Sequence, residues 1–299
     1  MQCKLVSLFG LGPMGVGLAS QLLSKAYTVN LWNRTAGKGT GLAEQGAIVK
    51  ASPAEAIRGA PVIISALPEH IALQEVLFDV DWAHELSGRT IINVGSMSPS
   101  RSQAFMDACE AHQACYIEVA AMGSVDDIEA SNLQLLIGAA APDYQRIKPL
   151  LQDISTKVSF IGDVGQAVAL KLALLQLSAS LTTAFSASIS LVMEQGLDTD
   201  VFMNHLRGSS LYAALFDQKL PRLLARDYQK PNFSGRHLQR ELALFLEQAE
   251  QNGLNVNSAQ SINDLLCLTR AKGLQNQDFS ALHDIVYPPR DSKPDSTAD

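Results

Sequence analysis

Residues 4–15 read KLVSLFGLGPMG, a strand-forming run that breaks into three glycines, Gly10, Gly12 and Gly15, ahead of a helix-like pattern. A glycine turn placed between a strand and a helix is the context in which the G-x-G-x-x-G spacing becomes informative. Gly10 permits the tight turn, Gly12 lets the backbone approach a pyrophosphate, and Gly15 allows close helix–strand packing. Pro13 and Met14 open the helix, where backbone N–H groups and the helix dipole attract phosphate. These five residues are candidate dinucleotide-binding positions, and the turn predicts an α/β Rossmann domain.

The second strand-like run, YTVNLW, ends at Trp32 and is followed by Asn33, Arg34 and Thr35. An acid here would bind a ribose 2′-hydroxyl and repel a 2′-phosphate. Arg34 instead offers a planar guanidinium, with Asn33, Thr35 and Lys38 as further donors, so NADPH/NADP is expected over NAD. The charge pattern agrees: Met1 to Ala43 contains no Asp or Glu but holds Lys4, Lys25, Arg34 and Lys38. A locally cationic lobe in a chain of net charge −7 suits an anionic ligand.

Outward from the turn, further strand-like runs (PVIISAL, RTIINVG, ACYIEVA, NLQLLIGA, KVSFIG) alternate with helical patterns to about Ile161. Such alternation predicts a largely parallel sheet covered by helices on both faces. Beyond Gly162 the pattern is helical: roughly 164–196, 198–208, 211–226, 236–252, 256–273 and 278–286. The expected organisation is a Rossmann domain over 1–163, an all-helical domain over 164–287 entered by a long interdomain helix, and a polar, proline-rich, disordered tail over 288–299.

Composition excludes several classes. The net charge argues against nucleic acid as a partner. Cys3, Cys109, Cys115 and Cys267 form no C-x-x-C pair and have no histidine at metal-ligand spacing, so no metal site is expected and thiols in a reducing cytoplasm are. Leu172 to Met193 carries no charge and is long enough to span a bilayer. Its Gln176 and seven Ser or Thr residues suit burial among helices better than lipid, so no membrane role is expected. At roughly thirty residues, on the order of 45 Å, the helix is too long for one small domain to cover, which suggests burial against a second subunit.

The markers GLGPMG, LWNRT, Leu67-Pro68, Gly95-Ser96-Met97-Ser98-Pro99, the loop Glu118 to Ser124 and the helix around Lys171 together carry a resemblance. The chain resembles the β-hydroxyacid dehydrogenases, specifically the 3-hydroxyisobutyrate dehydrogenases and the NADPH-dependent glyoxylate/succinic semialdehyde reductases, from about Lys4 to Val286. The resemblance implies hydride transfer between the nicotinamide and a small carbonyl or hydroxyl substrate, with Lys171 as general acid/base, in a homodimer or homotetramer.

It also implies that Ser96 contacts nicotinamide and substrate, that Leu67 and Pro68 lie near the cofactor ribose, and that Arg240 reaches the cofactor in place of the family's usual lysine. On residue logic alone, burial would make the Lys171 ammonium a readier proton donor, while a lysine that snorkels to solvent is the alternative. Ser96 could equally cap the helix beginning near Pro99, and Arg240 could be an exposed helix charge.

Departures from the family pattern fall in the expected substrate pocket. The loop that normally reads Asp-Ala-Pro-Val-Ser-Gly-Gly here ends in Met122, Gly123 and Ser124, and two usual asparagines are Leu174 and Leu175. Loss of groups that pair with a carboxylate or hydroxyl predicts poor use of small hydroxy acids and a bulkier or less polar carbonyl. These apolar positions resemble the imine reductases, which lack the lysine. A non-catalytic NADPH-binding protein is the third reading.

Overall fold

The computed structural model describes residues 4–67 and 70–289. Eight strands run Leu5–Phe9 (β1), Thr28–Trp32 (β2), Ile48–Val49 (β3), Val62–Ser65 (β4), Thr90–Asn93 (β5), Cys115–Met122 (β6), Gln134–Gly138 (β7) and Val158–Gly162 (β8). They form one sheet in the order β3-β2-β1-β4-β5-β6-β7-β8. Every neighbouring pair is parallel except β6 and β7. Seven of the strands coincide with the runs read from sequence; β3, of two residues, is too short to form such a run.

The helices between these strands are Pro13–Ser24 (α1), Thr40–Glu44 (α2), Pro53–Arg58 (α3), His70–Leu77 (α4), Pro99–Ala111 (α5), Val125–Glu129 (α6) and Ala141–Ile154 (α7). Successive strand residues face opposite sides, which divides the core in two. Ile64, Ile92 and Ile117 join Leu18 and Leu22 of α1 and Ile147 and Leu151 of α7. Ile63, Ile91 and Tyr116 join Leu73 and Leu77 of α4 and Phe105 of α5.

The remaining helices are Gln166–Glu194 (α8), Thr199–Arg207 (α9), Ala214–Ala225 (α10), Gly235–Gln251 (α11), Asn257–Ala271 (α12) and His283–Val286 (α13). Two compact units divide between Leu172 and Ala173, inside α8, whereas the sequence placed its boundary at 163/164 before that helix. The start of α8 counts with the sheet because Ala167 and Val168 bury their side chains against Ala120 and Leu136.

In the second unit, Leu238, Leu242 and Leu246 form one stripe of α11 and pack with Ile262, Leu266 and Ala179. Phe185, Ile189, Met203, Phe216 and Leu223 form a second small core. Among the described residues, α8 is the one helix long and apolar enough to cross a membrane, and a third of its most apolar stretch is buried. The expected tail over 288–299 falls, from residue 290 onward, outside the described residues, as do Cys3 and Pro68.

Candidate active site

The glycine turn closes as its spacing requires. Gly10 has φ +91° and donates to the Trp32 carbonyl at 3.1 Å, which joins the ends of β1 and β2. A Cβ at Gly15 would stand 1.9 Å from the Gly10 carbonyl oxygen, so only glycine lets α1 start this close to the turn. Around Gly12, by contrast, a Cβ would meet no atom of the described residues within 4 Å, so their packing does not demand glycine there.

Gly12 is the N-cap of α1, with no side chain among the described residues capping the helix, Pro13 at its start and no acid in its first turn. An uncapped, acid-free helix start beside an open glycine fits a pyrophosphate, which would take up the backbone donors. Met14 is half-buried against the core, and Pro13 is exposed.

Arg34, Thr35 and Lys38 are exposed on the loop after β2. Asn33 is differently engaged: its Oδ1 accepts from the Leu11 amide at 2.9 Å and its Nδ2 donates to the Thr35 carbonyl at 2.9 Å. Its amide ties the glycine turn to the loop that presents Arg34. Sequence reasoning read it as a ligand donor because residue type alone does not reveal these backbone partners.

The loops after β4 and β5 meet. A Cβ at Gly95 would lie 2.3 Å from the Leu67 carbonyl oxygen, and Val94 N donates to the Ser65 carbonyl at 2.8 Å. Asn93 brackets the Gly95 peptide, accepting from its N–H at 3.1 Å and donating to its carbonyl at 3.2 Å. Ser98, rather than Ser96, caps α5, accepting from the Arg101 amide at 3.4 Å.

Ser96 meets Lys171 instead: Lys171 Nζ donates to Ser96 Oγ at 3.2 Å. Lys171 is 8% exposed, so the snorkelling alternative does not describe it. Both residues lie in the first compact unit.

The loop from Met122 to Ser124 is occupied internally. Met122 packs with Ala167 and Val168, one turn before Lys171. Ser124 donates from its backbone N–H (2.7 Å) and hydroxyl (2.8 Å) to Asp127 Oδ2 and accepts from the Asp127 amide, a capping box that starts α6. These donors hold the Asp127 carboxyl below its ordinary range. Gly123 has φ +136°, and a Cβ there would approach Asp127 Oδ2 to 2.9 Å. The Ser-x-x-Asp spacing was a legible signal for this cap, and the sequence reading passed over it.

A buried acid was also passed over. Glu118 is 1% exposed in the middle of β6; its Oε2 accepts from Gly165 N at 2.9 Å and its Oε1 from Val168 N at 3.1 Å. Burial pushes its carboxyl up, opposed by donation from Ser102 and from the Val168, Gly165 and Ala167 amides. A lone charge within the run CYIEVAAM was the signal available.

Three other expected site residues belong to the second unit. Leu174 is exposed, Leu175 packs against the core around Leu238, and Arg240 pairs with the buried Glu241 at 3.5 Å.

Residues 5–162 match the family described as the NAD binding domain of 6-phosphogluconate dehydrogenase, and residues 165–286 match the NAD-binding domain of NADP-dependent 3-hydroxyisobutyrate dehydrogenase. The chain is 27% identical to glyoxylate/succinic semialdehyde reductase 1 of Arabidopsis thaliana over 94% of its length and 98% of the relative's. Its fold matches Mycobacterium tuberculosis 3-hydroxyisobutyrate dehydrogenase, solved with L-serine, at a TM-score of 0.88 and 20% identity, covering 95% and 99% of the two chains. It also matches the imine reductase of Myxococcus stipitatus in complex with NADP+, at a TM-score of 0.62 and 21% identity over 94% and 99%.

Proposed function

The chain belongs to the β-hydroxyacid dehydrogenase family, and from that premise we propose an NADPH-dependent reductase in which Lys171 protonates the oxygen of a carbonyl substrate. The observation that carries this reading is the buried Lys171 ammonium held against Ser96, in the same unit as the glycine turn. The nicotinamide, when bound, supplies the hydride.

Each side chain then has a task. Gly12 and the first amides of α1 bind the pyrophosphate, while Arg34, Thr35 and Lys38 bind the 2′-phosphate; Asn33 keeps the two loops together. Ser96 accepts from Lys171 and directs the ammonium to the substrate oxygen, where negative charge develops as reduction proceeds. In the reverse direction the neutral amine accepts the proton from the alcohol.

The substrate we infer is a carbonyl compound of low polarity that lacks a carboxylate. Met122 supplies a thioether where the family has a hydroxyl, and both donors of Ser124 are committed to Asp127. A substrate carboxylate would find few unoccupied donors on this loop and would meet the Asp127 charge.

The test is NADPH oxidation over a panel of aldehydes, hydroxy acids and cyclic imines. Lys171→Ala is expected to lower aldehyde turnover by about 10²–10⁴-fold. Imine reduction that survives the substitution supports the second reading, a C=N reductase, which the apolar loop favours. Tight NADPH binding with no turnover on any substrate supports a cofactor-binding protein.

We also propose that a second copy of the chain covers α8. Its Leu174, Leu177 and Leu191 are 40%, 53% and 64% exposed, an apolar surface that self-association would remove from water.

A further inference from the structure

The two ends of the Lys171–Ser96 contact are tied to one buried carboxyl group, that of Glu118. On the lysine side, the Glu118 carboxylate accepts from Gly165 N and Val168 N at the start of α8, with the Ala167 amide contributing. Val168 is three residues, and Ala167 four, before Lys171 on the same helix, so those amides lie one turn below the lysine.

On the serine side, a chain of buried polar groups leads back to the same carboxylate. Asn93, which brackets the Gly95 peptide next to Ser96, donates from Nδ2 to the Tyr116 hydroxyl at 3.4 Å. Tyr116 and Ser102 share a hydrogen bond at 3.1 Å, and Ser102 bonds Glu118. With Ser102 donating to the carboxylate, Tyr116 donates to Ser102 and Asn93 donates to Tyr116, so every hydrogen in the chain runs toward Glu118. Asn93, Ser102, Tyr116 and Glu118 are each no more than 4% exposed, and an unsatisfied member at such depth is costly.

The fold reserves space for this carboxylate. Gly138 of β7 stands opposite Glu118 in the antiparallel register, and a Cβ there would come 2.5 Å from Glu118 Oε1. Gly165 has φ +98°, a backbone state that aims its N–H at Glu118 and disfavours any side chain.

We propose that Glu118 is the positioning residue for the reaction: it anchors both the start of the Lys171 helix and, through Ser102, Tyr116 and Asn93, the Ser96 loop, and so sets the Lys171–Ser96 separation. The inference rests on the catalytic reading of Lys171 and is tested separately from it. Glu118→Gln keeps the shape but turns an amide donor toward either Gly165 N or Val168 N, so one end of the clamp is lost. Gly138→Ala displaces the carboxylate without altering it and serves if the first variant does not fold.

The deciding measurement is the Nζ–Oγ separation in crystal structures of the variants. Lengthening beyond about 3.6 Å supports the clamp, and a retained hydrogen bond overturns it, whatever turnover does. The kinetic expectation is a kcat about 10²-fold lower with the NADPH dissociation constant unchanged, because a displacement near 1 Å costs that much. In a Lys171→Ala background, Glu118→Gln should cost nothing further in kcat; an undiminished additional loss means that the residue acts elsewhere. A lengthened contact with unchanged kcat would leave Glu118 a purely structural clamp and overturn its role in the reaction.

Discussion

Lys219 Nζ lies 2.8 Å from Asp278 Oδ1, and neither side chain is more than 4% exposed. Ser280 donates to the same oxygen from its amide and its hydroxyl, and the ammonium sits 4.1 Å above the centre of the Phe279 ring. Burial pushes the Asp278 carboxyl up, but the Lys219 ammonium and the Ser280 donors together outweigh it and hold the group below its ordinary range.

Removing one partner of a buried pair leaves a charge without compensation, at a cost of about 3–5 kcal/mol. Lys219→Met should therefore lower stability by that amount in urea denaturation. Lys219→Met with Asp278→Asn should recover part of the loss; a double variant as unstable as the sum of the singles would show that the pair is not coupled.

Arg34 is exposed at the end of the loop that Asn33 ties to the glycine turn. A charge-assisted hydrogen bond contributes about 1.5–3 kcal/mol, so Arg34→Ala should weaken NADPH by about 10- to 100-fold and leave NADH nearly unchanged. Fluorescence titration with both cofactors checks this. Equal losses for the two would remove Arg34 from 2′-phosphate recognition.

His283 is 1% exposed, its Nδ1 is buried without a hydrogen-bond partner among the described residues, and burial, reinforced by Arg226, lowers its pKa to about 4. The unfolded chain, with an ordinary imidazole near 6.5, binds the extra proton first. Stability must then fall as pH drops through the window from about 6.5 to about 4, at up to ~1.4 kcal/mol per pH unit from this group. Denaturation of wild type and His283→Gln across this window should show the slope reduced in the variant; identical slopes would mean that His283 is not the titrating group.

Leu177 is 53% exposed on α8. If a second copy covers this face, Leu177→Glu places a charge in an apolar interface and should shift the particle mass toward that of one chain in light scattering. An unchanged mass would place the contact elsewhere.

Much of the first unit was legible because its signals are local. Short β-rich runs set between helical patterns located seven strands, and the G-x-G-x-x-G spacing located the turn that only glycine at positions 10 and 15 can make. Residue type singled out Arg34, the family resemblance pointed to Lys171, and the long apolar helix stood out by length and lack of charge. None of these needs knowledge of which distant residues touch.

The assignments that folding decided depend on contacts far apart in sequence. Ser96 takes Lys171, 75 residues away. Asn33 is committed to backbone groups, and Lys219 and Asp278 meet across 59 residues. In the sequence Glu118 is one acid in an apolar run; in the sheet it gathers the amides of a helix that begins 48 residues later, at Gln166. Short-range sterics and hydrophobic period are written residue by residue, whereas the partner of a buried polar group is chosen only when the chain has closed around it and excluded the water that would otherwise have satisfied it.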